Sequence, residues 1–468
     1  MGPVHQKERR AMTQPLPRHI AVIDIGKTNA KVVLIEAASE TLLGTRSRPN
    51  SVRRDAPYPH ADVEGLWDFI LSSLGELHRE HGIDGISITT HGATAALMAG
   101  DQLALPVLDY EYDGPEASDE AYGRARPDFA ETLSPRLPNG LNLGAQIFWQ
   151  SRAFPEDFAK VTAILAYPQY WAWRLTGILA SEVTSLGCHT DLWSPDRGDF
   201  SSMVDAQGWR ALFPPIRPAA SVLGPLLNNL ADYTGLPSGT PVTCGIHDSN
   251  ASLVPHLGRQ EAPFTILSTG TWAIAMTVGG DTAKLDQARD SLANVDAFGR
   301  PVPTARFMGG REFDTIVGKI VAPNEADVAA VIERDVQALP TFAPGVGPFA
   351  NGKGRWTVAP EGLTDGERTA AASLYLALVA RECLDLCGLG KSITIEGPLA
   401  RNAVFGAALA TLAGRPVHAS GDGTGTSLGA SLLFGGQPAH EQHDSPIAPL
   451  AHPGFADYAR RWTERAKA

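Results

Sequence analysis

The 468-residue sequence contains only four cysteines, and Cys188, Cys244, Cys383 and Cys387 form no CxxC pair. That scarcity argues against a disulfide framework or a thiolate zinc site. Cys383 and Cys387 sit one helical turn apart in an apolar run, so all four read as buried thiols of a reducing cytosol. Positive charge is also in short supply: 39 Lys and Arg against 51 Asp and Glu give a formal net charge of −12. Without a basic stripe, neither nucleic acid nor an anionic membrane is an expected partner. No uninterrupted apolar run reaches the ~18 residues of a membrane span. The opening MGPVHQKERRAMTQPLPRH lacks the apolar core of a signal peptide. The chain is therefore read as soluble and cytoplasmic, with residues 1–18 a flexible extension.

Two familiar motifs are missing as well. Gly388-Leu389-Gly390-Lys391-Ser392 resembles the end of a phosphate-binding loop, but Asp385 stands where the motif needs glycine, and the GKS precedes a strand-like run instead of following one. His440-Glu441-Gln442-His443 is too short for a zinc-binding HExxH and reads as surface loop.

What is present is a repeated pattern. The length exceeds what one core supports, which predicts two lobes at 19–255 and 256–437 with a tail at 438–468, and hence a cleft. IAVIDIG and AKVVLIEA predict two strands joined by a tight turn at Gly26-Lys27-Thr28-Asn29. Residues 63 to 81 carry Leu66, Phe69, Ile70, Leu74 and Leu77 on one helical stripe, with Asp62 to cap it and Gly82 to close it. GISITT then predicts a buried strand that delivers His91 and Gly92 to a loop. Residues 141 to 185 are aromatic and helical in pattern, with no alternating strand signal. The grammar restarts at FTILSTGTWAIAMTV, followed by SITIEG, the helical LARNAVFGAALATLAG predicted to begin near Leu399, PVHAS and a last helix in GTSLGASLLFGG. Such alternation is an α/β fold, in which ligands sit beyond the carboxyl ends of strands.

Three segments carry candidate chemistry. In IDIGKTNAK, Asp24 ends a strand, and the turn gathers an ammonium, a hydroxyl and backbone N–H groups suited to phosphate oxygens, beside a carboxylate able to hold hydrated Mg²⁺; a plain hairpin turn uses similar residues. Ser268-Thr269-Gly270-Thr271 repeats the device at the head of the second half. At Gly397 a strand gives way to a helix whose first turn holds Asn402, where free N–H groups favour a polar ligand. Between the halves lies VTCGIHDSNAS, in which Asp248 could cap a helix, bind a metal with His247 or accept a proton.

Taken together, Asp24 to Lys31, Gly245-Ile246-His247-Asp248, Ser268 to Thr271, Gly397 to Asn402 and the Tyr167-Pro168-Gln169-Tyr170 … Leu175-Thr176-Gly177 segment resemble, in order and spacing, the FGGY carbohydrate kinases. The resemblance implies two ribonuclease-H-like domains of related topology around an interdomain cleft, closing on ATP and a sugar. It implies that Asp24, Gly26, Lys27, Thr28, Asn29 and Lys31, with Thr269, Gly270 and Thr271, hold phosphates, Asp24 also serving Mg²⁺. Gly397 and Asn402 would flank the adenosine. Asp248 matches the general base; His91, Gly92, Gln146 and His247 are the sugar-contacting candidates. The first turn reads DIGKT where many members have DIGTT, and GPLARN carries Pro398 where a second glycine is usual; Pro398 cannot donate an N–H. The form HDSNAS is most similar to kinases of deoxy-ketohexoses such as rhamnulose or fuculose, other ketoses and polyols remaining open, as does a homodimer. A non-catalytic sugar or nucleotide sensor and a chaperone- or actin-like ATPase are the rival readings; Asp24 and Asp248 together argue against the first, and Asp248 at the head of a helix between the two halves argues against the second.

Overall fold

A computed structural model of the chain describes residues 16–420, 425–435 and 445–468. The HEQH motif, most of the N-terminal extension and the expected boundary at 437/438 lie outside the described residues.

The expected hairpin forms. Strands His19–Ile25 and Asn29–Glu36 pair antiparallel, with Asp24 opposite Lys31, and Thr41–Pro49 continues the meander. Gly85–Thr90 then runs parallel to His19–Ile25. Its buried apolar residues need cover on both faces. One face takes the helix Val63–His81, whose Leu66, Ile70, Leu74 and Leu77 pack on the sheet together with Tyr167, Tyr170 and Trp171 of helix Tyr167–Thr176. Asp62 caps the first helix by accepting from Gly65 N, and Gly82 ends it at φ 78°, where a residue without Cβ is favoured.

The second half repeats the plan. Phe264–Thr269 pairs antiparallel with Ala273–Val278, which pairs with Pro301–Phe307, and Ile393–Glu396 returns parallel to Phe264–Thr269. Helix Asp365–Cys387 supplies the largest share of this core, closed at its start by a reciprocal Thr364/Glu367 capping box. The four cysteines are free and buried. Gly388 follows this helix as its C-terminal cap, so the GKS segment is a helix-to-strand connection.

Three expectations change. Residues 455–467 form a helix, not a tail: Phe455, Tyr458 and Trp462 are buried in the second core, and Trp462 Nε1 donates to Ala338 O at 2.7 Å. Ala163–Ala166 is a strand inside the aromatic segment; it is buried throughout, so no polar alternation announced it. The third concerns the other face of each sheet. Helix Gly425–Ser431, from the second half of the sequence, packs on the first sheet, where Ala430, Leu433 and Phe434 join Ile20, Val22 and Ile246. In return Leu253 and Leu257 of the first half pack on the second sheet, against Phe264, Ile266 and Met276. The two crossing segments touch closely at Gly429, where a Cβ would lie 1.7 Å from Ala251 O. The lobe junction is thus a layer built from both halves.

Candidate active site

The carboxyl ends of both central strands point into this junction. Asp24, one residue from the end of its strand, accepts from Ser427 Oγ at 2.8 Å across 403 residues of sequence. Burial pushes its carboxyl up; Ser427 and Lys31 oppose that shift and Asp248 adds to it, so the two acids sense one another's charge. The turn beyond Asp24 is braced from below, Gly26 N bonding Asn29 O at 2.9 Å and Asn50 Nδ2 donating to Gly26 O at 2.8 Å. Thr28 and Asn29 remain exposed at its tip.

Lys27 departs from the expected phosphate contact. Its ammonium is paired with Asp109 and, at 3.3 Å, with Glu111, and lies 4.7 Å above the Tyr110 ring. Those partners belong to a loop that sequence periodicity does not mark, so the side chain is held by its own lobe.

Asp248 opens the short helix Asp248–Ala251, with His247 preceding it as N-cap residue. Asp248 Oδ1 accepts from Ser249 N at 2.6 Å and lies 3.2 Å from His247 Nε2. Oδ2 has no hydrogen-bond partner among the described residues, and Asp248 lines a cavity of about 270 Å³. That cavity is lined by His247, Asp248 and Cys188 of the first lobe and by Ser268, Asn294 and Arg306 of the second. The capping reading of Asp248 therefore gives way to a first-turn position. Among the described residues there is no cluster of three or more His, Cys, Asp or Glu that could hold a metal.

His247, which lines this cavity, and His91, whose ring senses both Asp248 and His247, are in different states. His91 Nδ1 lies 3.0 Å from Gly92 O, which can only accept, so Nδ1 carries the hydrogen and Nε2 offers a lone pair. Burial pushes the His91 ring below its ordinary range, keeping it neutral. His247 behaves oppositely: burial disfavours its charge, but Cys188, Asp248 and Asn250 outweigh burial and push the ring up. Cys188 moves down in step, its burial outweighed by His189 and His247. Gly92 is required here because a Cβ would sit 2.6 Å from His247 Nε2. Gln146, expected to reach a sugar, spends its amide donor on Ala93 O at 2.5 Å and on Gly140 O. It braces the His91 loop from behind.

In the second lobe a larger cavity, about 990 Å³, opens between the Gly270–Thr271 turn and the segment Pro398 to Val404. Thr269 Oγ1 donates to Glu396 O and accepts from Leu399 N at 3.1 Å, tying the two walls together. Helix formation is later than expected: Pro398–Arg401 is a single 3₁₀ turn, and the α-helix starts at Ala403. Asn402 is its cap, accepting from Phe405 N at 3.0 Å and donating to Ser373 Oγ at 2.9 Å, so its amide is occupied although the residue lines the cavity. Arg311, Phe313 and Arg401 are also in the lining, as is Gly310, whose position would place a Cβ 2.4 Å from Gly270 O. The Gly309-Gly310 pair was a visible signal in the sequence; Arg311 and Phe313 carried none.

Comparison with known proteins agrees with this architecture. Residues 125–255 match the N-terminal domain of the FGGY family of carbohydrate kinases, and residues 261–444 match the carbohydrate kinase FGGY C-terminal domain. The crystal structure of a carbohydrate kinase from Novosphingobium aromaticivorans is 39% identical, with a TM-score of 0.90 over 97% of this chain and 99% of that one. An L-fuculokinase of Salmonella typhi is 26% identical over 339 residues, 70% of this chain and 71% of that protein. The xylulose kinase of Escherichia coli (strain K12) is 24% identical over 433 residues, 88% of each chain. With the duplicated fold and near full-length match to a carbohydrate kinase, the chain belongs to the FGGY family of carbohydrate kinases.

Proposed function

We propose that the protein transfers the γ-phosphoryl group of ATP to a hydroxyl of a small ketose or polyol, with Asp248 as general base. The observation that carries this reading is the state of the Asp248 carboxylate: Oδ1 is engaged by Ser249 N and faces His247, Oδ2 has no hydrogen-bond partner among the described residues, and the residue lines a cavity shared by both lobes. A hydroxyl seated there would hand its proton to Oδ2 as its oxygen attacks phosphorus. His91 Nε2 accepts from a second hydroxyl, which orients the sugar. ATP places its adenosine in the 990 Å³ cavity, between the Thr271 turn and the Pro398–Asn402 wall. Its phosphates run past Gly270 and Thr271 toward the Gly26–Asn29 turn. Such a transfer asks mainly for positioning and charge neutralisation.

Asp24 fits Mg²⁺: it is a hard oxygen donor beside the Ser427 hydroxyl, and Mg²⁺ takes one or two carboxylates plus phosphate oxygens and water. Bound there it would neutralise charge developing on the phosphates. The L-fuculokinase among the relatives and the cavity's small size favour deoxy-ketohexoses and other short ketoses as acceptors.

Asp248→Asn keeps size and loses basicity. ATP affinity should stay near wild type while turnover on the true sugar falls by about 10²-fold or more. Near-wild-type turnover would falsify the assignment; an ATPase rate indifferent to every sugar would revive the ATPase reading.

A further inference from the structure

His247 is linked through Asn250 to the opposite lobe. Asn250 is buried, and its Nδ2 donates to the backbone oxygen of Val295, at the end of the edge strand Ser291–Val295 of the second sheet. A carbonyl can only accept, so the amide nitrogen is fixed at Val295, and Oδ1 is turned to His247 Nδ1 at 2.6 Å. Nδ1 must then carry a hydrogen. The remaining ring nitrogen, Nε2, faces Asp248 Oδ1 at 3.2 Å, where a lone pair would meet a carboxylate and a second N–H would meet an acceptor. The titratable groups around the ring are Asp248, Cys188, Glu182 and His91, the last kept neutral by burial. The edge strand is itself seated on the first lobe: Ala293 N donates to Leu133 O at 3.0 Å, and Val295 packs so tightly on Gly187 that a Cβ there would lie 2.3 Å from Val295 Cγ2.

We propose that Asn250 is a positioning residue that makes readiness of the base depend on the seating of the second lobe. With Val295 O in place, Asn250 holds His247 as a two-sided donor, His247 occupies Asp248 Oδ1, and Oδ2 is left as the oxygen that receives the sugar proton. When the strand ending at Val295 is unseated, the Asn250 amide is free to rotate, the His247 donor is no longer fixed, and the carboxylate can turn away. The lobe contact that encloses the sugar thereby also aims the base. This inference rests on the reading of Asp248 as general base.

The test compares Asn250→Ala, Asn250→Asp and Asp248→Asn in the full chain. Loss of a partner that orients a functional group typically costs about 10- to 100-fold, so Asn250→Ala should lower kcat by that factor with KM for sugar and for ATP little changed. Asn250→Asp keeps an oxygen for His247 Nδ1 but sets a carboxylate oxygen against Val295 O; it should keep His247 charged yet remain well below wild-type kcat. A residue that merely packs would lower stability and leave kcat of the folded enzyme alone. Histidine-selective ¹⁵N NMR of the wild-type protein supplies a readout independent of any variant: both His247 nitrogens should be protonated at neutral pH. Wild-type kcat in folded Asn250→Ala, or a His247 signal with an unprotonated Nδ1, overturns the proposal. If Asp248→Asn is inactive while Asn250→Ala is normal, only the positioning role fails; if Asp248→Asn is active, the base assignment itself fails.

Discussion

Gly397→Ala tests whether the junction between the Ile393–Glu396 strand and the helix beginning at Ala403 shapes the cavity proposed for the nucleotide. Gly397 adopts φ 81° and ψ −160°, a region open essentially to glycine alone. A Cβ built there lies 2.0 Å from Thr269 O, 3.0 Å from Thr269 C and 3.1 Å from Thr269 Oγ1. Neither the oxygen nor the carbon can swing aside, being backbone of a central strand, so ordinary contact requires the two segments to part by roughly 1.5 Å. Backbone strain of this kind costs about 1–3 kcal/mol before any lost bonds are counted. Parting them also breaks the Thr269 bridge to Glu396 O and Leu399 N, which holds the cavity walls together. For a lobe of this size the expected fall in Tm is about 2–4 °C per kcal/mol. Because the displaced wall lines the cavity proposed for the nucleotide and not the one proposed for the sugar, KM for ATP should rise by about 5- to 150-fold, the same energy expressed as binding, while KM for sugar stays near wild type. Gly299→Ala is the control, with φ at 80° but nothing within 4 Å of its Cβ, so it should lose less stability and no ATP affinity. Steady-state kinetics at saturating sugar and a thermal melt suffice. If Gly397→Ala matches wild type in both Tm and KM for ATP, the account of this junction is wrong.

Two further substitutions probe packing and charge. Trp462→Ala should cost about 3–5 kcal/mol in urea unfolding, as for other large core deletions, because its ring fills the second core and packs edge-on against Phe349 and Tyr375; a loss below about 1 kcal/mol would return the last helix to the status of a dispensable tail. Burial pushes the Glu182 carboxyl up to about 7 despite its bonds from Thr184, against 4.5 in the unfolded chain. The folded state thus holds its proton longer than the unfolded state does, and the contribution of Glu182 to stability declines as pH rises through that window. Glu182→Gln, which keeps an acceptor for Thr184, should match wild type near the acid end and be more stable by about 3 kcal/mol above neutrality; a difference constant across pH refutes the shift.

Legibility followed the range of the interaction. The strand pair around Gly26, the Asp62-capped helix and the repeat of β-turn-β openings depend on neighbours within a few residues, and periodicity exposes them. The strand Ala163–Ala166 escaped because burial on both faces erases alternation. Asp24 and Asp248 were found through motif order, but the reason Asp24 sits in the junction, its bond to Ser427, was invisible. The pairing of Lys27 was invisible for the same reason: a lysine in a phosphate-type turn gives no sign in the sequence that Asp109 and Glu111 are brought beside it.

The sequence by itself determined the duplicated α/β plan and the two turns that open its halves, since local propensity, glycine geometry and family motif order are written along the chain. Only the tertiary structure decided which half's helices cover which sheet, that the last helix is core, that Gln146 braces a loop and Asn402 caps a helix, and that Asn250 connects His247 to Val295. Those outcomes depend on contacts between residues tens to hundreds of positions apart, and a directional bond is specified by where folding brings its donor and acceptor, which no local pattern records.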